Sequence, residues 1–128
     1  MSLGRPSIHN RSMKRLLIVD DDARFRTLAR MLLEDTGEFE VVGEAPDGDR
    51  AISASRELRP DVVLLDVHLP DARGFDLVPR IAGDHGPVVL LVSSRDDGGY
   101  SQMAEEAGAA GFLSKHDFRP AAIAALVS

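Results

Sequence analysis

The chain contains no cysteine, which excludes disulfides and thiolate metal sites and fits a reducing compartment. No apolar run approaches the roughly 20 residues that a bilayer span requires, and no charged-then-apolar signal sequence opens the chain. Positive charge is in short supply: 15 Lys and Arg stand against 21 Asp and Glu, a net charge of −6. A basic stripe of the kind that nucleic acid demands is not visible. No Gly-x-Gly-x-x-Gly follows the first apolar run, which disfavours a dinucleotide-binding enzyme. Internal repeats and low-complexity tracts are also missing. These absences predict a soluble, cytoplasmic protein with no membrane partner and no direct contact with nucleic acid.

What is present suffices for one domain. The 128 residues are 44% hydrophobic, enough to bury a real core. Residues 1–12 carry Gly, Pro, Ser and Asn without periodicity. The expected division is therefore a flexible leader over 1–13, with "MSL" resembling an expression-tag remnant, and a single folded domain over 14–128.

From Lys14 onward, apolar runs alternate with helical patterns. Short continuous apolar runs at 15–20, 39–45, 61–66, 87–94 and 110–114 read as strands covered on both faces. Helices are predicted over 23–36, 48–59, 74–83, 96–107 and 118–127. In the first, Phe25, Leu28, Ala29, Leu32 and Leu33 recur at helical spacing, with Asp22 as N-cap and Gly37 as the stop. Pro60 ends the second, Pro79 is expected to kink or shorten the third, and "DDGG" weakens the first turn of the fourth. Met13, Met31 and Met103 read as core or edge packing. Five strand–helix units with short connections imply a parallel sheet with helices on both faces.

In such a sheet, ligands bind outside the carboxyl ends of the strands. The first strand ends in Asp20, Asp21 and Asp22, the third in Asp66, the fourth in Ser93 and Ser94, the fifth in Ser114 and Lys115. The second, expected at an edge, ends in Glu44 and Ala45. Carboxylates a few ångströms apart raise one another's pKa, and a hard divalent cation with oxygen ligands relieves that repulsion. A carboxylate beside such an ion can attack phosphorus, with an ammonium and a hydroxyl stabilising the transferring group. Asp22 is better read as a helix cap.

"LLIVDDD", "PDVVLLDVHLPDARGFDL", "VVLLVSS" and "GAAGFLSK" together resemble the receiver domain of bacterial two-component response regulators, the CheY-like fold. The resemblance covers about Lys14 to the C-terminus. It implies a three-layer, flavodoxin-like sandwich with a five-stranded parallel sheet in the order 2-1-3-4-5 and five helices. Carried over by position, it implies that Asp66 is the phosphoacceptor, assisted by Lys115 and Ser93. It implies that Asp20, Asp21, Asp66 and the backbone carbonyl of His68 hold Mg²⁺ or Mn²⁺, with Asp21 the direct ligand of the acidic pair. Ser93 and Phe112 take the switch positions, and His68 and Arg95 flank the phosphoryl group. The implied partner is a sensor histidine kinase, and the implied activity is phosphotransfer with autodephosphorylation in a signalling switch rather than metabolic catalysis. A homodimer through the face of the fourth helix, fifth strand and last helix, or through the first and last helices, is a further implication.

One departure stands out. His116 replaces the proline that follows the lysine in most receivers, so the cis peptide bond that proline would favour is not expected there. "GFLSK" without proline resembles the branch carrying a LuxR/NarL-type DNA-binding output domain, and transcription is the expected output. The competing reading is a pseudo-receiver, a protein-interaction module that is never phosphorylated; it normally lacks one of the acids or the lysine, all present here. A haloacid-dehalogenase-type phosphatase has only Asp20-x-Asp22 in its favour. A zinc site is disfavoured because His68, His85 and His116, read as exposed loop residues, share no helical spacing.

Overall fold

The computed structural model describes residues 13–95 and 98–127. In chain order the elements are β1 (Lys14–Val19), α1 (Ala23–Asp35), β2 (Phe39–Ala45), α2 (Gly48–Leu58), β3 (Val62–Asp66), α3 (Gly74–Ala82), β4 (Val88–Ser93), α4 (Tyr100–Ala107), β5 (Gly111–Ser114) and α5 (Pro120–Val127). A 3₁₀ turn, Lys115–Asp117, joins β5 to α5. The sheet runs β2-β1-β3-β4-β5 with every neighbouring pair parallel. This is the three-layer, doubly wound α/β architecture that the sequence predicts, in the strand order that the family resemblance implies. The leader expected at 1–13 lies outside the described residues except for Met13.

Alternate residues of the strands feed two separate cores. Leu16, Ile18, Val62, Leu64, Leu90 and Val92 face α1 and α5. Leu17, Val19, Val63, Leu65, Val89 and Leu91 face α2, α3 and α4. Each of these twelve residues is at most 1% exposed, and each such side chain contributes about 1.5–3 kcal/mol by leaving water. The central strands are therefore held from both sides, and the residues at their carboxyl ends inherit that rigidity.

The helices depart from expectation in instructive places. α1 buries only Phe25, Ala29 and Leu33. Met31, expected as core or edge packing, is 64% exposed, and Leu28 and Leu32, which recur at helical spacing with the buried residues, are 49% and 36% exposed. The helix meets the sheet along the narrow 25/29/33 stripe, so the apolar residues beside that stripe point outward. α4 begins at Tyr100 rather than 96. Gly98 and Gly99 have φ of 75° and 137°, outside the right-handed helical region, so the helix starts only after them; positions 96 and 97 lie outside the described residues. α3 continues past Pro79 to Ala82, a short helix of nine residues. α5 starts at Pro120, the favoured first helical position, and the stretch before it forms the 3₁₀ turn.

Gly74, which opens α3, is packed against the site strand. A Cβ there would stand 2.5 Å from the carbonyl oxygen of Asp66 and 2.9 Å from a Leu91 methyl group. Gly74→Ala is expected to lower stability by about 1–3 kcal/mol in chemical denaturation, whereas Gly83→Ala, with nothing within 4 Å, meets only the backbone strain of its φ of 53°.

Candidate functional site

The site is assembled by three chain segments leaving the carboxyl edge of the sheet. Asp20 follows β1 immediately. Its main-chain N–H donates to the Ala45 carbonyl (3.0 Å), and its own carbonyl accepts from the Arg26 guanidinium (2.5 Å). Asp22 caps α1, its side chain accepting from the Arg24 N–H (2.9 Å), as expected from the sequence. The Asp22 N–H in turn donates to Asp20 Oδ1 (2.9 Å). Asp66 is the last residue of β3, and its Oδ1 accepts from the His68 N–H (3.3 Å).

These segments bring the three acids together. One carboxylate oxygen from each of Asp20, Asp21 and Asp66 lies within 4.8 Å of the other two. Asp20 is fully buried, Asp66 is 5% exposed, and Asp21 is open to solvent. Lys115 enters from the far side: its Nζ is 2.6 Å from Asp20 Oδ2 and 3.7 Å from Asp66 Oδ2. Burial first, and then the charge of Asp20, push the Asp66 carboxyl up to about 6; Lys115 and the His68 N–H offset only part of this. Lys115 also lies over the Phe25 ring, 4.4 Å from its centroid, and Phe118 packs edge-on against that ring at 5.4 Å.

Asp20 Oδ2 is buried and, despite its short ion pair with Lys115, receives no hydrogen bond of regular geometry. A buried carboxylate oxygen in that state is an acceptor awaiting a partner, which a metal ion can be. The ligand set is all oxygen, suited to a hard cation. Small side-chain movements would let three such oxygens approach one hard cation together. Asp20, Asp21 and Asp66 thus fit such an ion.

Ser93 ends β4, fully buried, and its Oγ accepts from the Arg95 N–H (3.1 Å). Phe112 in β5 is half-buried and meets Tyr100 edge-on at 5.5 Å. The peptide bond between Lys115 and His116 is trans. Glu44 takes no part in the acidic cluster. Burial pushes its carboxyl up, but hydrogen bonds and charge from Arg30 and Arg26 outweigh that and hold it below the ordinary range.

His68 departs from its reading as an exposed loop residue. The ring is half-buried and reaches the Tyr100 hydroxyl (3.1 Å) and the Arg95 guanidinium (3.2 Å). No periodicity in the sequence links positions 68, 95 and 100, since their meeting depends on two separate loops. The loop of His68 is itself tied down by Asp71, which accepts from the Gly48 and Asp49 N–H groups at the start of α2 (2.8 and 3.1 Å).

Known proteins resemble this chain in sequence and in fold. The chain is 35% identical over 104 residues to the response regulator GacA of Pseudomonas viridiflava, covering 80% of this chain and 49% of that protein. It is 38% identical over 103 residues to a protein-glutamate methylesterase/protein-glutamine glutaminase of Idiomarina loihiensis, covering 79% of this chain and 27% of that one. The chain thus spans about half the length, or less, of these curated relatives. Among solved structures, the signal receiver domain of NarL from Mycobacterium tuberculosis matches with a TM-score of 0.83 and 32% identity, covering 91% of this chain and 97% of that one. A LuxR-family response regulator from Aurantimonas sp. SI85-9A1 matches at 0.81 and 32%, covering 91% and 86%. The model of the response regulator receiver domain matches residues 16–128, and the chain belongs to that family.

Proposed function

We propose that this receiver accepts a phosphoryl group on Asp66 from the phosphohistidine of a sensor histidine kinase. The observation that carries the reading is the convergence of Asp20, Asp21 and Asp66 within 4.8 Å with the Lys115 ammonium among them. An Asp66 oxygen attacks phosphorus, the phosphorus–nitrogen bond to the kinase breaks, and the electron pair leaves with the kinase imidazole. Asp20, Asp21, Asp66 and the His68 carbonyl are the groups that would hold Mg²⁺ or Mn²⁺, which when bound supplies charge neutralisation for the transferring group. Lys115 exchanges its pairing with Asp20 for the new phosphoryl oxygens. Ser93 gives up its contact with the Arg95 N–H and turns its hydroxyl toward the same group. Phe112 then turns into the space beside Ser93, altering the face of α4, β5 and α5.

That face, or the outer surface of α1 with its exposed Leu28, Met31 and Leu32 together with α5, is where a second copy docks. The output is transcriptional, through a DNA-binding domain outside this chain, and the protein works in the cytoplasm. Nucleic acid is not bound by this domain itself, consistent with a net charge of −6. Among the described residues, no helix is long and apolar enough to cross a membrane.

Incubation with Mg²⁺ and acetyl phosphate is expected to add one phosphoryl group to the chain by mass spectrometry, and Asp66→Asn is expected to abolish the addition while leaving the fold intact. An unmodified wild-type chain would favour the pseudo-receiver.

The raised pKa of Asp66 makes a second expectation in metal-free buffer. The folded carboxyl titrates near 6 against an ordinary value of 3.8. Between those values the folded state holds a proton that the unfolded state has lost. Stability therefore falls as pH rises through this window and stays reduced above it. In EDTA, Asp66→Asn is expected to be more stable than wild type by about 1–3 kcal/mol at neutral pH, with the gap closing toward pH 4 in urea unfolding.

A further inference from the structure

The acidic rim is only one end of the sheet. Five residues of β3, rising about 3.3 Å each, place its other end roughly 16 Å away. There the last turns of α2 and α3 leave a cleft of about 730 Å³, bounded below by the entries to β3 and β4. Arg56, Arg59, Arg80 and His85 line it, against one carboxylate, Asp61. That carboxylate is already engaged, since its Oδ2 accepts from the Arg15 N–H (2.8 Å). Among the described residues, the guanidinium groups of Arg56, Arg59 and Arg80 form no ion pair or hydrogen bond. A chain of net charge −6 thus gathers three unpaired guanidinium groups around one cleft.

A purely structural role competes. Arg56 and Arg80 stand in the last turns of α2 and α3, where a cation offsets the helix dipole. Two features exceed that role. Arg59 lies past the end of α2 at φ 48°, and among the described residues it is the one non-glycine with positive φ. Glycine would take this position freely; an arginine kept there in a disfavoured conformation points to a use for its side chain. The second feature is the apolar part of the lining, from Ile52, Ile81 and Val88, with Val88 left 40% exposed. Gly86 fixes the α3–β4 turn beneath it. Its N–H donates to the Ala82 carbonyl (2.6 Å), and a Cβ would stand 2.1 Å from that oxygen, so the turn admits no side chain.

We infer that this cleft binds a small organophosphate of the nucleoside diphosphate type. Guanidinium groups pair bidentately with phosphate oxygens and stack on planar rings, and the apolar lining accepts the uncharged part of the molecule. The volume lies within the roughly 300–1,000 Å³ of small-molecule sites. The site is independent of phosphotransfer at Asp66.

The test is an amide chemical-shift titration of the whole chain in EDTA, with ADP, inorganic pyrophosphate and adenosine in parallel. ADP is expected to give saturable shifts at Arg59 and Gly86, with pyrophosphate and adenosine each weaker. The double variant Arg56→Ala, Arg80→Ala is expected to weaken ADP about tenfold or more, to keep a native spectrum, and to accept phosphoryl from acetyl phosphate as wild type does. Absence of saturable shifts at these amides, equal binding by the double variant, or adenosine or pyrophosphate binding as tightly as ADP would overturn the inference.

Discussion

Two carboxylates, Asp20 and Asp66, are held together almost out of water, with one ammonium between them. One positive charge cannot compensate two negative ones, and the shortfall appears as the Asp66 carboxyl pushed up to about 6. Nothing nearby lets the acids separate. Below them β1 and β3 are packed on both faces by residues at most 1% exposed. Beside them, Arg26 grips the Asp20 carbonyl, and the N–H groups of Asp22 and His68 bind the two carboxylates. The hydrophobic cores thus sustain an arrangement that electrostatics alone would disperse. The resulting rim favours any cation or electrophile that removes negative charge.

Much of this was legible in the chain. Strands that are apolar at every position require helices on both faces, and short connections require parallel crossovers. Once the sheet is parallel, residues as far apart as Asp20, Asp66 and Lys115 share one rim, whatever their separation in sequence. Strand order is different: nothing local distinguishes a central β3 from an edge, and the order 2-1-3-4-5 was accessible only through the family resemblance. What the chain hid was of two kinds. Leu28 and Leu32 have helical spacing, but periodicity does not say how wide a stripe the sheet will cover, and α1 is covered along 25/29/33 alone. His68, Arg95 and Tyr100 meet through loops, and loop geometry depends on turn conformations, such as the two glycines before α4, that leave no periodic trace.

A lightly anchored element lies where a change at the rim would be felt. α4 has eight residues, buries only Tyr100 and Ala104, and lacks a side-chain N-cap. Gly98 and Gly99 before it resist helical extension. Few buried contacts mean a low cost for shifting this segment relative to the sheet. Yet Tyr100 connects to both sides of the site: its hydroxyl meets the His68 ring (3.1 Å), and its ring meets Phe112 and Phe75 edge-on at 5.5 and 5.3 Å. Ser93 ends β4, and Lys115 directly follows β5, the neighbouring strand that carries Phe112. A new charge on Asp66 would pull Lys115 and Ser93 toward it, while His68 is two residues along the same chain. Both inputs would converge on Tyr100, the first residue of a lightly anchored helix. The sheet, packed on both faces, would supply the fixed frame and the lightly anchored α4 the response. In a receiver such as this, a rearrangement of a few side chains at the rim would reach the α4–β5–α5 surface through Tyr100, at the margin of one core, while the core on the other face of the sheet keeps its packing.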